Sequence, residues 1–272
     1  MTGGTELTGK LNKTLASAAA KIGTGMGLGS GRIALEQTDT LNSFKVREEL
    51  GPKMPFFANL GIAEIEKILA ENNTQIITDL VASLDADGLI VHINPLQELL
   101  QPEGKCHIYS PLETIKSLLN KIDFPLIVKE VGQGFGPQSL QQLLTLPLEA
   151  IELAGHGGTN FSQVENLRSG TKHPSMQALT NVGHGVYEMI QWINSWVEKK
   201  EPNCKNIIIS GGINSAIDGY YYNNLCKMPS IYGLASRLLP SAQTSLESLL
   251  DYLTFEIKSY SIAKKFLTLK EY

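Results

Sequence analysis

The chain has 272 residues, 42% of them hydrophobic, and a net charge of −4 from 23 Lys and Arg against 27 Asp and Glu. That length suits one large α/β domain, and the acidic balance excludes a general binder of nucleic acid or anionic membrane, which needs a basic face. Three widely spaced cysteines, Cys106, Cys204 and Cys226, and the lack of any run near ~18 apolar residues or of a signal-like start predict a cytoplasmic protein with reduced thiols and no membrane contact.

Short apolar runs rich in β-branched residues alternate with stretches of helical period, the pattern of a parallel sheet. A helix is expected over 5–22, with Leu7, Leu11, Leu15, Ala18, Ala19 and Ile22 on one stripe. A strand near Met26 leads into the glycine-rich run 25–31. Next come a strand at 55–60, a helix with Ile62, Ile65, Ile68 and Leu69 inward, and a strand at 88–94. A helix opening at Pro111, a favoured first-turn residue, carries Leu112, Ile115, Leu118, Leu119 and Ile122. Strands at 125–131, 150–154, 206–210 and 230–235 follow, with helices over 137–145, about 185–199 after a long loop, and 214–226. A last helix carries Leu246, Leu249, Leu250, Leu253 and Ile257. The strands are nearly all apolar, as when helices cover one face and side chains fill the other. With no linker or repeat, one domain over 1–272 is expected: a (β/α)8 TIM barrel. Seven strands are readable, and the opening Met1-Thr2-Gly3-Gly4 enters a helix at once, so the first strand and the segment before it are expected to be missing.

In a parallel barrel the ligand site is built by the loops after the strands, and there the polar and glycine residues collect. Gly211-Gly212 precede a helix, a backbone arrangement that binds phosphate. Lys129 lies within an apolar strand and needs a partner or an anionic ligand. An ion pair with Glu130 is not expected, because adjacent strand residues face opposite sides. His92 and Asn94 alternate with Val91 and Ile93, and Gln97 and Glu98 follow within a turn. One carboxylate among amides is thin for zinc, which wants three protein ligands, and suits Mg²⁺ held with the help of substrate phosphate oxygens. His107, His156, His173 and His184 have no ligand spacing and read as surface or helix-entry residues.

Taken together, MTGG (1–4), GLGSGR (27–32), ANLG (58–61), VHINPLQELLQPEG (91–104), PLIVKEVG (125–132), GHGGTNFSQVE (155–165) and SGGI (210–213) are similar, in order and spacing, to type 2 isopentenyl diphosphate isomerase. The HxNxxQE run is the most specific of these motifs. The resemblance implies interconversion of isopentenyl and dimethylallyl diphosphates by allylic proton transposition, with reduced FMN, Mg²⁺, and NADPH as reductant. It implies flavin contacts from Met1, Thr2, Ser30, Asn59, Lys129 and Thr159, with Gly211, Gly212, Ala235 and Ser236 at the FMN phosphate. Ser30, Arg32, His92, Asn94 and Gln97 would hold the small-molecule diphosphate, Gln97 and His92 would serve catalysis, and Glu98 would hold Mg²⁺. Family members are commonly tetramers or larger, so a homo-oligomer is expected. The family's basic substrate-clamping segment before its first strand has no counterpart here. The alternatives are an FMN-dependent oxidoreductase of the hydroxy-acid oxidase barrel type, or an inactive truncated homologue. The first wants an arginine pair beside a catalytic His, and no second arginine stands beside a candidate base.

Overall fold

The structure, a computed structural model, describes residues 2–101, 110–169 and 174–270; Met1, Cys106, His107 and His173 lie outside the described residues. Contacts divide the chain into two compact units, each assembled from separated segments: 1–92, 113–127 and 237–255, and 93–112, 128–236 and 256–272. Seven strands are described: β1 (Met26–Gly27), β2 (Phe56–Gly61), β3 (Gly88–His92), β4 (Leu126–Lys129), β5 (Ala150–Glu152), β6 (Asn206–Ile209) and β7 (Ser230–Tyr232). They follow one another in chain order. Registers are parallel, with Asn59 opposite Ile90 and Gly61 opposite His92 in the first unit, and Glu152 opposite Ile208 in the second. Parallel neighbours need crossover connections, and helices supply them.

In the first unit the helix Glu6–Ile22 is capped at both ends. Thr5 accepts from the Thr8 amide, and Gly23, in the left-handed region at φ 76°, donates to the Ala19 carbonyl. Leu11, Leu15, Ala18 and Ile22 pack against Ala242, Leu249 and Leu253. Fully burying a leucine such as Leu249 contributes roughly 1.5–3 kcal/mol, which holds the last helix, Leu246–Phe266, to the first. Leu7 keeps the angle of this stripe but lies a turn before the cluster begins and is 78% exposed, contrary to expectation. Ile257 is likewise exposed, because from Glu256 onward the helix buries the line through Glu256 and Ala263 instead.

The expected strands are found, several of them shorter. β3 ends at His92 because Asn94 opens the helix Pro95–Leu100 with Pro95 in its first turn. β4 ends at Lys129, where the chain turns into a loop carrying Gly132 and Gly134 at φ 128° and 68°. The helix Gln75–Ser83, whose Ile77, Leu80 and Val81 are buried, was not anticipated. The stretch between β5 and the helix Val186–Val197 holds two helices, Phe161–Ser169 and Pro174–Leu179, rather than one long loop.

Candidate functional site

In the first unit, β2 and β3 each deliver one polar side chain at their C-terminal ends. Asn59 donates through Nδ2 to the Leu28 carbonyl at 2.9 Å, leaving Oδ1 to accept from His92 Nδ1 at 2.8 Å; both side chains are buried. This assignment puts the imidazole proton on Nδ1 and turns Nε2 toward Gly61, where an added Cβ would stand 3.0 Å from it. A Cβ at Gly61 would also meet the Glu64 carboxylate. Glu64 in turn lies 3.9 Å from the Arg32 guanidinium, and Glu36 lies 3.8 Å from it. Both are ion-pair contacts longer than a hydrogen bond, and Arg32 is nearly half exposed. The Ser30 hydroxyl is 3.5 Å from the Arg32 amide. The Gly31 amide bonds the Asn59 carbonyl at 2.7 Å, fastening the 27–32 loop to β2.

In the second unit the helix Pro95–Leu100 buries its polar side. Asn94 Nδ2 donates to Gln97 Oε1 at 3.2 Å and to Glu98 Oε1 at 3.1 Å. Gln97 Nε2 donates to Glu165 Oε1 at 3.3 Å, and Gln101 Nε2 donates to the same oxygen at 3.0 Å. Arg168 pairs with the other Glu165 oxygen at 3.0 Å. Asn94, Gln97, Glu98 and Glu165 are all under one tenth exposed. Both ends of the Gln97 amide are therefore held. Asn94 Oδ1 and Gln101 Oε1 are buried acceptors without a hydrogen bond, a costly condition that a bound cation would relieve.

Lys129, at the end of β4, donates through Nζ to the carbonyl oxygen of Glu130 at 2.7 Å. The contact is with the backbone and not with the carboxylate, as the alternation of strand side chains requires. The Glu130 carboxylate accepts four successive backbone amides, Val131 to Gly134, at 2.6–2.9 Å. Burial pushes its carboxyl above the ordinary value, while the four amide donors pull it the other way. Gly132 packs so closely on Thr159 that a Cβ there would overlap the Thr159 carbonyl oxygen. The Thr159 side chain itself is exposed.

The glycine loops after β5 and β6 touch backbone to backbone. A Cβ on Gly211 would fall on the Gly155 backbone, and one on Gly212 would come 2.7 Å from the His156 carbonyl. Gly211 and Gly212 have φ 89° and 73°. The helix Ala216–Leu225 does not present a free N-terminus. Asp218 accepts the Asn214 and Ser215 amides, and Glu256 accepts the Ala216 amide at 2.5 Å. The amides of Gly211, Gly212 and Ile213 make no hydrogen bond among the described residues. An anion at this loop would therefore meet the glycine backbone ahead of the helix rather than the helix end. Ala235 and Ser236 are exposed in the loop after β7.

Of the residues singled out from sequence, Asn94, Gln97 and Glu98 bond to one another in the second unit and His92 bonds Asn59 in the first; Glu165, which accepts from Gln97, and Glu64, near Arg32, were not singled out. Glu165 ends the GHGGTNFSQVE run, and Glu64 follows Asn59 by five residues. Thr2 is half-buried beside Gly3 and Gly4, which seat on Phe44 and Ile33. His156 bonds the Val182 carbonyl at 3.0 Å, and His184 meets Trp192 edge to face. Cys204 and Cys226 are free and buried. Among the described residues no three His, Cys, Asp or Glu gather as a metal cluster, and no helix is long and apolar enough to cross a membrane.

No protein-family model matches the chain. An isopentenyl-diphosphate delta-isomerase of Rickettsia felis is 37% identical over 255 residues, which cover 92% of this chain and 70% of that protein. The Rickettsia prowazekii protein of the same name is 35% identical over 267 residues, 96% of this chain and 74% of that one. Among solved structures, a double mutant of flavocytochrome b2 with pyruvate bound superposes with a TM-score of 0.60 at 11% identity, covering 98% of this chain. The chain spans 64% of that flavocytochrome chain, and the likeness is one of fold: parallel strands in chain order with helices between them, the (β/α)8 arrangement with seven strands described. The chain belongs to the isopentenyl-diphosphate delta-isomerase family, which is consistent with the type 2 members that its motifs resemble.

Proposed function

We propose that the protein interconverts isopentenyl and dimethylallyl diphosphates by allylic proton transposition, with reduced FMN and Mg²⁺ bound and NADPH as reductant. The observation that carries this reading is the buried array on the 91–101 run, in which Asn94, Gln97 and Glu98 hold one another and Glu165 fixes Gln97.

The residues present fit both groups. Glu98 offers one buried carboxylate beside the unpaired oxygen of Asn94, an all-oxygen set of the kind Mg²⁺ takes together with water and phosphate oxygens. The unbonded amides at Gly211–Ile213 and the Lys129 ammonium suit the phosphate and ring of FMN. Bound FMN in its reduced form supplies a ring nitrogen able to exchange a proton and a surface that tolerates positive charge, chemistry that the side chains lack.

The chain's own groups bind and orient. In this reading Arg32, Ser30 and His92 would hold diphosphate oxygens, His92 as the imidazolium whose Nε2–H can donate, and Glu98 would hold the metal. Gln97 is neutral and tethered at both ends, so it positions the alkene instead of acidifying it. Water exclusion is served by the burial of Asn94, Gln97 and Glu98. The free buried thiols fit a reducing cytoplasm. Following the resemblance, the protein works as a homo-oligomer, tetramer or larger, which light scattering checks.

The test is to supply isopentenyl diphosphate, Mg²⁺ and reduced FMN and to follow dimethylallyl diphosphate. Product formation that depends on FMN and Mg²⁺ is expected. No product, together with reduction of FMN by a small 2-hydroxy acid, would favour the oxidoreductase instead.

A further inference from the structure

Glu130 is a buried carboxylate, 6% exposed, with no cationic side chain bonded to it among the described residues. Its negative charge is met by one oxygen, Oε2, accepting the amides of Val131, Gly132, Gln133 and Gly134 at 2.6, 2.8, 2.6 and 2.9 Å. Successive amides converging on one point form an anion-binding concavity, here filled by the residue that begins the loop. Four bonds to a single charged acceptor, each stronger than a neutral one, leave the 130–134 backbone little freedom. Gly132 and Gly134 make the curl possible: both have positive φ, and side chains there would strike Thr159 and Met189. The same Glu130 peptide carries the carbonyl that receives Lys129 Nζ at 2.7 Å. A lysine has four rotatable side-chain bonds and three donors, and it is held in place only by what it bonds to.

We propose that Glu130 is a positioning residue: its carboxylate, by gathering the four loop amides, fixes the peptide whose carbonyl holds Lys129 Nζ, and so presets that ammonium for the bound cofactor. The cofactor clause rests on the FMN reading above; the hold on Lys129 does not. Glu130 touches neither substrate nor flavin in this role and acts through Lys129.

The experiment therefore has two arms. In the flavin-free protein, Lys129 acylation by an amine reagent is followed by peptide mass spectrometry, with Lys205, which pairs with Glu149 at 2.7 Å, as control. In Glu130→Gln the Lys129 rate should rise about tenfold while that of Lys205 stays unchanged. Glu130→Asp keeps the charge but withdraws the oxygen by one methylene, and it gives the same test should the Gln variant not fold. An unchanged Lys129 rate would overturn the proposal whether or not FMN binds. The second arm measures FMN affinity and the bound-flavin absorption spectrum for Glu130→Gln, Lys129→Met and the pair. The two single changes should give the same spectral change, and the double variant should bind no more weakly than Lys129→Met. Losses that multiply would mean that Glu130 is merely structural. Wild-type protein that ignores FMN would defeat the FMN reading alone.

Discussion

Gln97 and Glu98 are adjacent in sequence but held differently. Gln97 has both amide ends bonded, to Asn94 and to Glu165, whereas Glu98 supplies a buried carboxylate, one oxygen of which accepts from Asn94 among its contacts. Glu98→Gln should therefore weaken Mg²⁺ by at least about tenfold, with activity partly restored by excess Mg²⁺. An unchanged Mg²⁺ dependence of turnover would remove Glu98 from the metal site. A second residue-scale expectation concerns Cys204, which is 2% exposed and whose thiol burial pushes from 9.0 up to about 11. Between those values the unfolded thiol loses its proton while the folded one keeps it, so the unfolded state binds fewer protons and stability falls as pH rises. The loss is fully developed near pH 11 and amounts to about 2–3 kcal/mol for two units at 1.36 kcal/mol each. Urea unfolding at pH 8.5 and 10.5 measures it; Cys204→Ala should flatten that part of the profile, and an equal decline in the variant would assign it to other groups.

Strand–loop units carry the candidate site, and each contributes through its C-terminal end. The residues at those ends were legible because a polar side chain in an apolar strand stands out: Asn59, His92 and Lys129 are examples. What they bond to was not legible. Glu64 and Glu165 sit on helices whose polar faces look solvated in sequence, and only folding brings Glu165 to Gln97 across 68 residues. Helices Gln75–Ser83 and Phe161–Ser169 escaped because a nine-residue amphipathic stretch between loops gives few turns of period to read. The glycine pair after β6 was read as phosphate-binding with the following helix as donor, yet that helix end is capped by Asp218 and Glu256. Gly211→Ala tests the loop itself. A side chain at φ 89° against the Gly155 backbone should cost about 1–3 kcal/mol of stability and weaken FMN more than riboflavin. Equal weakening of both would place the phosphate elsewhere.

At the scale of the whole molecule, composition and alternation of elements were enough for the (β/α)8 class, because a parallel sheet in chain order follows from apolar strands separated by helices. Function was legible only through the motifs: the fold is shared at 11% identity with a flavocytochrome of different name, and a common fold does not determine the reaction. The functional reading rests on the polar groups after the strands, above all the Asn94–Gln97–Glu98 array with Glu165 behind it. If that array serves allylic proton transposition, the substrate exchanges protons with solvent and there is no net redox change. Proton NMR of isopentenyl diphosphate in D₂O, with the protein, Mg²⁺ and reduced FMN, tests this directly. The predicted result is dimethylallyl diphosphate carrying solvent deuterium, with the flavin in the same oxidation state before and after, and with product lost in Gln97→Ala. Unlabelled substrate recovered intact, or flavin oxidised in proportion to substrate consumed, would contradict it.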